Sequence, residues 1–281
     1  MPTIHTYRSN ETGLLVNSYL IESDDAVVVV DAPLLLSDGR AFRARLDALR
    51  KPLAGVLVTH PHPDHYNTIT QVVDGTSAPI IALPRVDQIM RDHDDAKRQQ
   101  WGPVFGDEWP ASATFANEQA TDGSVVELGG IRLRAYDLGR GESESETAWL
   151  LDDAAGEPVP VAFIGDLAFN GTHPYLADGM TGEWLDSLDR ARSVFGPGHR
   201  LYLGHGEPIG LDGLHAQRSY LLMVREAIQR LSGDRDHLEP AAKEELQRLM
   251  AEFWPGAPLV WLLGAGCDAV AAELAGERAS R

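Results

Sequence analysis

The segment Thr59-His60-Pro61-His62-Pro63-Asp64-His65 places three imidazoles and a carboxylate within a few consecutive residues. It follows Leu53-Ala54-Gly55-Val56-Leu57-Val58, an apolar, β-branched run suited to a buried strand, and Asp64-His65 open a helix-like segment. Strong donor groups are thus delivered to one strand-to-helix loop. On an extended loop the alternate residues His60 and His62 point the same way, while Asp64 and His65 diverge toward a neighbouring position. One segment can therefore feed two adjacent cations, with nitrogen and oxygen donors suited to zinc, manganese or iron. The competing reading is a polar loop whose histidines cap a helix or satisfy backbone groups. A lone histidine would favour that reading; the H-x-H-x-D-H spacing after a buried strand favours the metal.

With this T-H-x-H-x-D-H signature the chain resembles the metallo-β-lactamase-fold hydrolase superfamily, and the resemblance covers nearly its whole length. Asn17-Ser18-Tyr19-Leu20-Ile21 followed by Ala26-Val27-Val28-Val29-Val30-Asp31 resembles the family's opening strands, which end in an acidic residue near the site. Phe163-Ile164-Gly165-Asp166 is similar to the strand ending in G-D whose carboxylate bridges two metals. Leu201-Tyr202-Leu203-Gly204-His205-Gly206 is similar to the late strand that supplies the last histidine. The resemblance implies an α+β fold, a four-layer αβ/βα sandwich with metals at one edge of the sheets. Periodicity alone gives only mixed α and β.

Carried over residue by residue, the resemblance implies His60, His62 and Asp166 at a first metal, and Asp64, His65, His205 and again Asp166 at a second. The family places a further histidine in a loop between the D-H and G-D motifs, and the corresponding stretch here is Gly141-Glu142-Ser143-Glu144-Ser145-Glu146-Thr147. Aligning Gly141, Ser143 and Thr147 with that loop puts Glu142 in the histidine slot. A shift of two residues puts Glu144 there instead, and a solvated acidic loop without a ligand is the remaining reading. A glutamate in place of neutral imidazole makes the cluster formally neutral, because Asp64, Asp166, Glu142 and a bridging hydroxide then balance two divalent cations. Such a cluster acidifies water less and favours harder ions. The implied cofactors are two divalent metal ions, Zn2+ first, with Mn2+ or Fe as alternatives.

The implied chemistry is hydrolysis of a small-molecule ester, lactone, thioester or amide by a hydroxide held between two metal ions. Asp64 positions or shuttles the proton, and His173 is a candidate acid or substrate contact, with a turn or helix-start role as its alternative. No G-x-S-x-G elbow offers a competing nucleophile. The alternatives within the fold are a single-iron sulfur dioxygenase-like enzyme, reached if the first site is weakened by its missing histidine, and a phosphodiesterase. A binding module with a degraded site is disfavoured because six of the donors are retained.

A chain of 281 residues, 43% hydrophobic, can bury a large core, and the motifs thread residues 1–281 as a single domain. A formal charge of -18 repels phosphate backbones and anionic lipid, which argues against nucleic acid and membranes and for a small-molecule substrate. The lone Cys267 excludes an internal disulfide framework and reads as a packed small residue. The N-terminal residues lack a basic patch followed by an apolar run, no window reaches a membrane span, and the expected location is cytoplasmic. Homo-oligomer formation is left open.

Strand-like runs lie at 14–21, 26–31, 53–59, 78–83, 125–128, 131–136, 147–152, 160–165 and 200–204, and helical patterns at 39–50, 66–74, 84–99, 181–195 and 214–232. Residues 88–118 carry Trp101, Phe105, Trp109 and Phe115 among charges. They lie where the family places a lid, and a local aromatic mini-core is the equal alternative. His215 reads as a surface residue on a core-packing helix.

Overall fold

The computed structural model describes residues 2–280. Six strands run in chain order through one sheet: β1 (Thr3–Arg8), β2 (Asn17–Glu22), β3 (Val27–Val30), β4 (Leu53–Leu57), β5 (Ile80–Ala82) and β6 (Glu118–Gln119). The first three pair antiparallel and the remainder parallel. β7 (Val125–Leu128), β8 (Ile131–Gly139), β9 (Glu146–Asp152), β10 (Pro158–Phe163) and β12 (Arg200–Tyr202) build a second sheet in the order β12-β10-β9-β8-β7. The short strands β11 (Phe169–Asn170) and β13 (His205–Gly206) pair parallel beside it.

Among the described residues eight α-helices complete the chain: α1 (Leu36–Ala48), α2 (Pro63–Tyr66), α3 (Ile69–Val73), α4 (Pro84–Phe105), α5 (Thr181–Val194), α6 (Leu211–Ser232), α7 (Pro240–Phe253) and α8 (Trp261–Ala279). The strand period of two sorts side chains into layers. Along β9, Trp149 and Leu151 enter the core shared with Val28, Leu57 and Phe163, whereas Ala148 and Leu150 face Trp184, Leu221 and Val270 of the helices beyond. Phe42, Ile69, Val86 and Met90 of α1, α3 and α4 join the first core. The result is helix, sheet, sheet, helix, the four-layer αβ/βα arrangement. All four valines of β3 are 0% exposed, as befits a central strand covered on both faces.

The structure corrects several expectations. The run 14–21 is not one strand: Leu14 and Leu15 adopt left-handed backbone after a turn that Asn10 caps, Val16 makes an isolated bridge to His205, and β2 begins at Asn17. The helical pattern at 66–74 is broken between Tyr66 and Ile69, where the Asn67 amide and the Thr68 hydroxyl bond the carbonyls of Leu34 and Pro33 instead of continuing a helix. The stretch 88–118 is mostly helix, because α4 runs on to Phe105. The sequence patterns do not announce β1, α7 or α8. Among the described residues no helix is long and apolar enough to cross a membrane.

Candidate metal centre

The signature residues sit at the carboxyl ends of strands, the usual place for a site on a sheet edge. His60 and His62 follow β4, Asp64 and His65 lie on α2, Asp166 lies in a turn after β10, and His205 opens β13. Glu142 occupies the loop between β8 and β9. Close approach of these tips needs glycine. Gly165 has φ +52, and a Cβ there would stand 2.6 Å from Thr59 Oγ1 and 3.0 Å from His60 Nδ1. A Cβ on Gly204 would run into Asp166 and His65.

A supporting layer fixes which nitrogen of each ring is free. Asp31, in left-handed backbone just past β3, accepts from Thr59 N at 2.8 Å and Thr59 Oγ1 at 2.7 Å. The Thr59 proton is therefore committed to Asp31, so His60 Nδ1, 3.0 Å away, donates to Thr59 Oγ1. His65 Nδ1 donates to Asp31 at 2.9 Å, His205 Nδ1 to the Leu14 carbonyl at 2.9 Å, and His62 Nε2 to Asp178 at 3.1 Å. Each partner assigns the proton to the outer nitrogen. The opposite nitrogen of all four rings, Nε2 of His60, His65 and His205 and Nδ1 of His62, is left as a lone-pair donor.

Those free atoms gather into two adjoining groups, His60, His62 and Glu142 in one, and Asp64, His65, Asp166 and His205 in the other. The rings of His60 and His65 are only 4.1 Å apart between centroids, so the groups share a wall. In the second group His205 Nε2 lies 3.3 Å from Asp64 Oδ2 and 3.3 Å from Asp166 Oδ2, and His65 Nε2 lies 3.4 Å from Asp166 Oδ1. Donors about 2.1 Å from a tetrahedral cation stand about 3.4 Å apart, so the spacing suits zinc or a similar ion. In the first group Glu142 Oε2 is 3.7 Å from His60 Nε2 and 2.8 Å from His62 Nδ1. Both Glu142 oxygens, His60 Nε2, His65 Nε2 and Asp166 Oδ1 are buried with no hydrogen-bond partner among the described residues. Orphaned donors at this density are costly unless a ligand joins them, and the residues present fit divalent metal.

Electrostatics of the protein side agree. Burial opposes charge at every one of these groups, yet in the second group opposite charges win: Asp64 and Asp166 are held below the ordinary carboxylate range, and His65 and His205 are raised, His205 to about 9. His62 is raised against burial by the Glu142 and Asp178 carboxylates. His60, with burial dominant, is held well below the ordinary imidazole value and stays neutral. Burial pushes Glu142 up to about 7, against the pull of His62. The anionic surplus is what cations would neutralise.

Glu144, the alternative to Glu142, points elsewhere: its carboxylate bonds Arg85 at 2.6 Å and it is only partly buried. Of the two, Glu142 is the one grouped with His60 and His62. His173 is not in either group. It lines the pocket above them, fully buried, with Nδ1 2.8 Å from Tyr220 Oη and Nε2 unpartnered. His215 is exposed and Cys267 is buried in α8.

The donors form the floor of a pocket holding about 580 Å³ of space not filled by atoms, part of it open to solvent. Its walls are apolar: Leu14, Leu34, Trp101, Phe105 and Trp109 on one side, Phe169, Leu259 and Leu262 on the other. Trp101, Phe105 and Trp109 also pack with Leu34 and Leu35, so the mini-core and the covering wall are the same structure. Phe115 instead packs on the main core. Sequence reasoning missed Asp178, Tyr175, Lys97, Leu259 and Leu262. Nothing local marks them, since Asp178 meets His62 across 116 positions of sequence.

The layered fold, with its donors gathered at the strand ends, is that of the metallo-β-lactamases. A sequence profile of the metallo-beta-lactamase superfamily matches residues 12–137. The fold is shared with a metallo-beta-lactamase family protein from Thermus thermophilus, at TM-score 0.68 and 20% identity over 98% of this chain and 94% of that one. A beta-lactamase domain protein from Burkholderia ambifaria matches at TM-score 0.66 and 19% identity, covering 98% and 86% respectively. A hydroxyacylglutathione hydrolase of Prochlorococcus marinus (strain MIT 9312) is 26% identical over 176 residues, 63% of this chain. The chain spans 59% of the length of that curated relative. The chain has the metallo-β-lactamase fold, and its residues 12–137 are similar to the metallo-beta-lactamase superfamily in sequence as well.

Proposed function

We propose that this protein uses two divalent metal ions, zinc first, to hydrolyse an acyl bond, an ester, thioester, lactone or amide, in a small molecule with an apolar body. The observation that carries the reading is the pair of adjoining donor groups with orphaned buried atoms at the floor of an apolar pocket. The name of the Prochlorococcus relative favours acyl cleavage among the reactions of the fold. His60, His62 and Glu142 would hold one ion, Asp64, His65 and His205 the other, with Asp166 between them. Bound there, divalent metal would polarise a substrate carbonyl and make water nucleophilic near neutral pH.

The protein's own groups do the rest. The aromatic and aliphatic walls exclude bulk water from the acyl group and orient it. Asp64, kept ionised and with Oδ2 at the rim of the second group, can accept a hydrogen bond there and so position a proton donor. Tyr220 can donate to His173 Nδ1, which places the ring proton on the unpartnered Nε2. Burial lowers the pKa of His173, so it is a neutral donor that can hydrogen-bond a leaving group. The iron-oxygenase alternative depends on a first group short of one donor, and Glu142, standing with His60 and His62, would supply that donor. The single Cys267 cannot close a disulfide within the chain, which supports a cytoplasmic location.

The test is a panel of esters, lactones, thioesters, amides and a phosphodiester offered to metal-loaded wild type, His62→Ala and Asp166→Ala. Turnover of an acyl substrate should vanish on chelation, return with metal, and fall on the order of 10² to 10³-fold in each variant. Full activity in either variant overturns the assignment, and cleavage of the phosphodiester alone moves the reading to phosphodiesterase.

A further inference from the structure

The residues lining the pocket include one lysine or arginine, Lys97, on the face of α4 turned toward the metal-ligand floor. Its side chain is 15% exposed, and Nζ sits 5.7 Å from the centroid of the Tyr175 ring. The nearest carboxylate oxygen, Oδ1 of Asp178, is 4.0 Å away, beyond hydrogen-bond reach. Asp178 is meanwhile engaged through its other oxygen with His62 at 3.1 Å. Lys97 therefore carries a positive charge at the mouth of an apolar pocket with its ammonium donors unfilled by the described residues.

We propose that Lys97 is the anchor for a carboxylate on the substrate, and that the protein acts on acyl compounds with an apolar body ending in a carboxylate. Three features carry this. A largely buried ammonium whose one nearby carboxylate stands at 4.0 Å, too far to accept a hydrogen bond, gains from an anion that fills its donors, and an ion pair formed there is screened less than one at the surface. The chain as a whole bears a formal charge of -18, so an anionic substrate needs a local cation to enter. With Glu142 where a neutral ring would otherwise stand, two divalent ions and their anionic donors leave little net positive charge to attract a carboxylate to the floor. Recognition of the anion and the site of chemistry are then separate, with Trp101 and Tyr175 flanking the space between.

The inference rests on the hydrolase reading only for its turnover arm. Zinc-loaded wild type, Lys97→Met and Lys97→Arg are titrated with phenylbutanoate and, as an uncharged counterpart, phenylbutanol, followed by the fluorescence of Trp101 and Trp109 in the pocket wall. The preference for the acid over the alcohol should fall about 10- to 100-fold in Lys97→Met, the loss of one charge-assisted contact, and recover in Lys97→Arg. In turnover, the ratio of kcat/KM for the mono-nitrophenyl ester of adipic acid to that for nitrophenyl hexanoate should fall by the same factor. Equal preference in wild type and Lys97→Met overturns the anchor, because the carboxylate then binds elsewhere. A parallel loss for acid and alcohol, unrescued by arginine, also overturns it and leaves Lys97 as a wall residue held by Asp178. A preference that falls as expected while neither ester is cleaved by the wild type sustains the anchor and defeats the hydrolase reading instead.

Discussion

Each candidate donor imidazole is set by a neighbour that fixes its proton: Thr59 for His60, Asp178 for His62, Asp31 for His65 and the Leu14 carbonyl for His205. Replacing a donor should therefore remove metal, while replacing a nearby acid that touches no donor should not. Glu142→Ala should lower bound metal by about one ion per chain by elemental analysis, and Glu144→Ala, whose carboxylate is tied to Arg85, should retain the wild-type content. The reverse result would transfer the ligand role. The donors themselves were legible because they lie in short motifs, and spacing alone brought His60, His62, Asp64 and His65 together. Asp178 was not, since an ordinary aspartate before a helix acquires its role only when the chain folds it against His62.

At the scale of elements, α8 is stitched to its neighbours by carboxylates, Asp268 toward α7, Glu277 toward Arg225 of α6, and Glu273 toward both α5 and α6. Glu273 accepts from Thr181 N at 3.0 Å and Gly182 N at 2.6 Å, the first turn of α5, and pairs with Arg225 of α6 at 2.9 Å. It caps one helix from another, a role that a residue at the helix's own N-cap normally fills. Glu273→Ala should cost about 2 to 3 kcal/mol in chemical denaturation, chiefly from two unsatisfied backbone donors, since Arg225 keeps its pairing with Glu277, and Glu273→Gln distinctly less. Equal stability of the alanine variant and the wild type would show the cap to be dispensable. The helix itself escaped sequence reading because Trp261 to Ala279 is almost wholly small or apolar, with glycines at 264, 266 and 276, so no polar face marks a period. β3 and β9 were legible for the opposite reason: dense β-branched or aromatic runs with clean ends.

For the molecule as a whole, the buried charges make metal and pH interdependent. Without metal, His62 and His65 are raised and His205 lies at about 9, burial being outweighed by nearby carboxylates. A raised imidazole pKa contributes stability in full below about 6.5 and loses it as pH climbs through the folded value. Glu142 and Glu146, pushed by burial to about 7 and about 8, act in the same sense, since ionising them in the fold is unfavourable. Asp64 and Asp166, held low, lose their contribution only in acid. The metal-free protein should thus be most stable between about pH 4 and 6 and weaken toward pH 9. Metal requires the deprotonated rings, so the loaded protein should gain relative to it over the same interval. Calorimetric melting curves of chelated and loaded protein should diverge as pH rises; parallel curves would refute the linkage.

Strand tips furnish the reactive floor of the pocket, while α4 and the start of α8 supply its sides. These are separately encoded pieces of chain. A lineage, or an engineer, can exchange the helices that wall the pocket and leave the donors at its floor untouched, so the shape of the cavity is free to drift without disturbing the candidate metal centre.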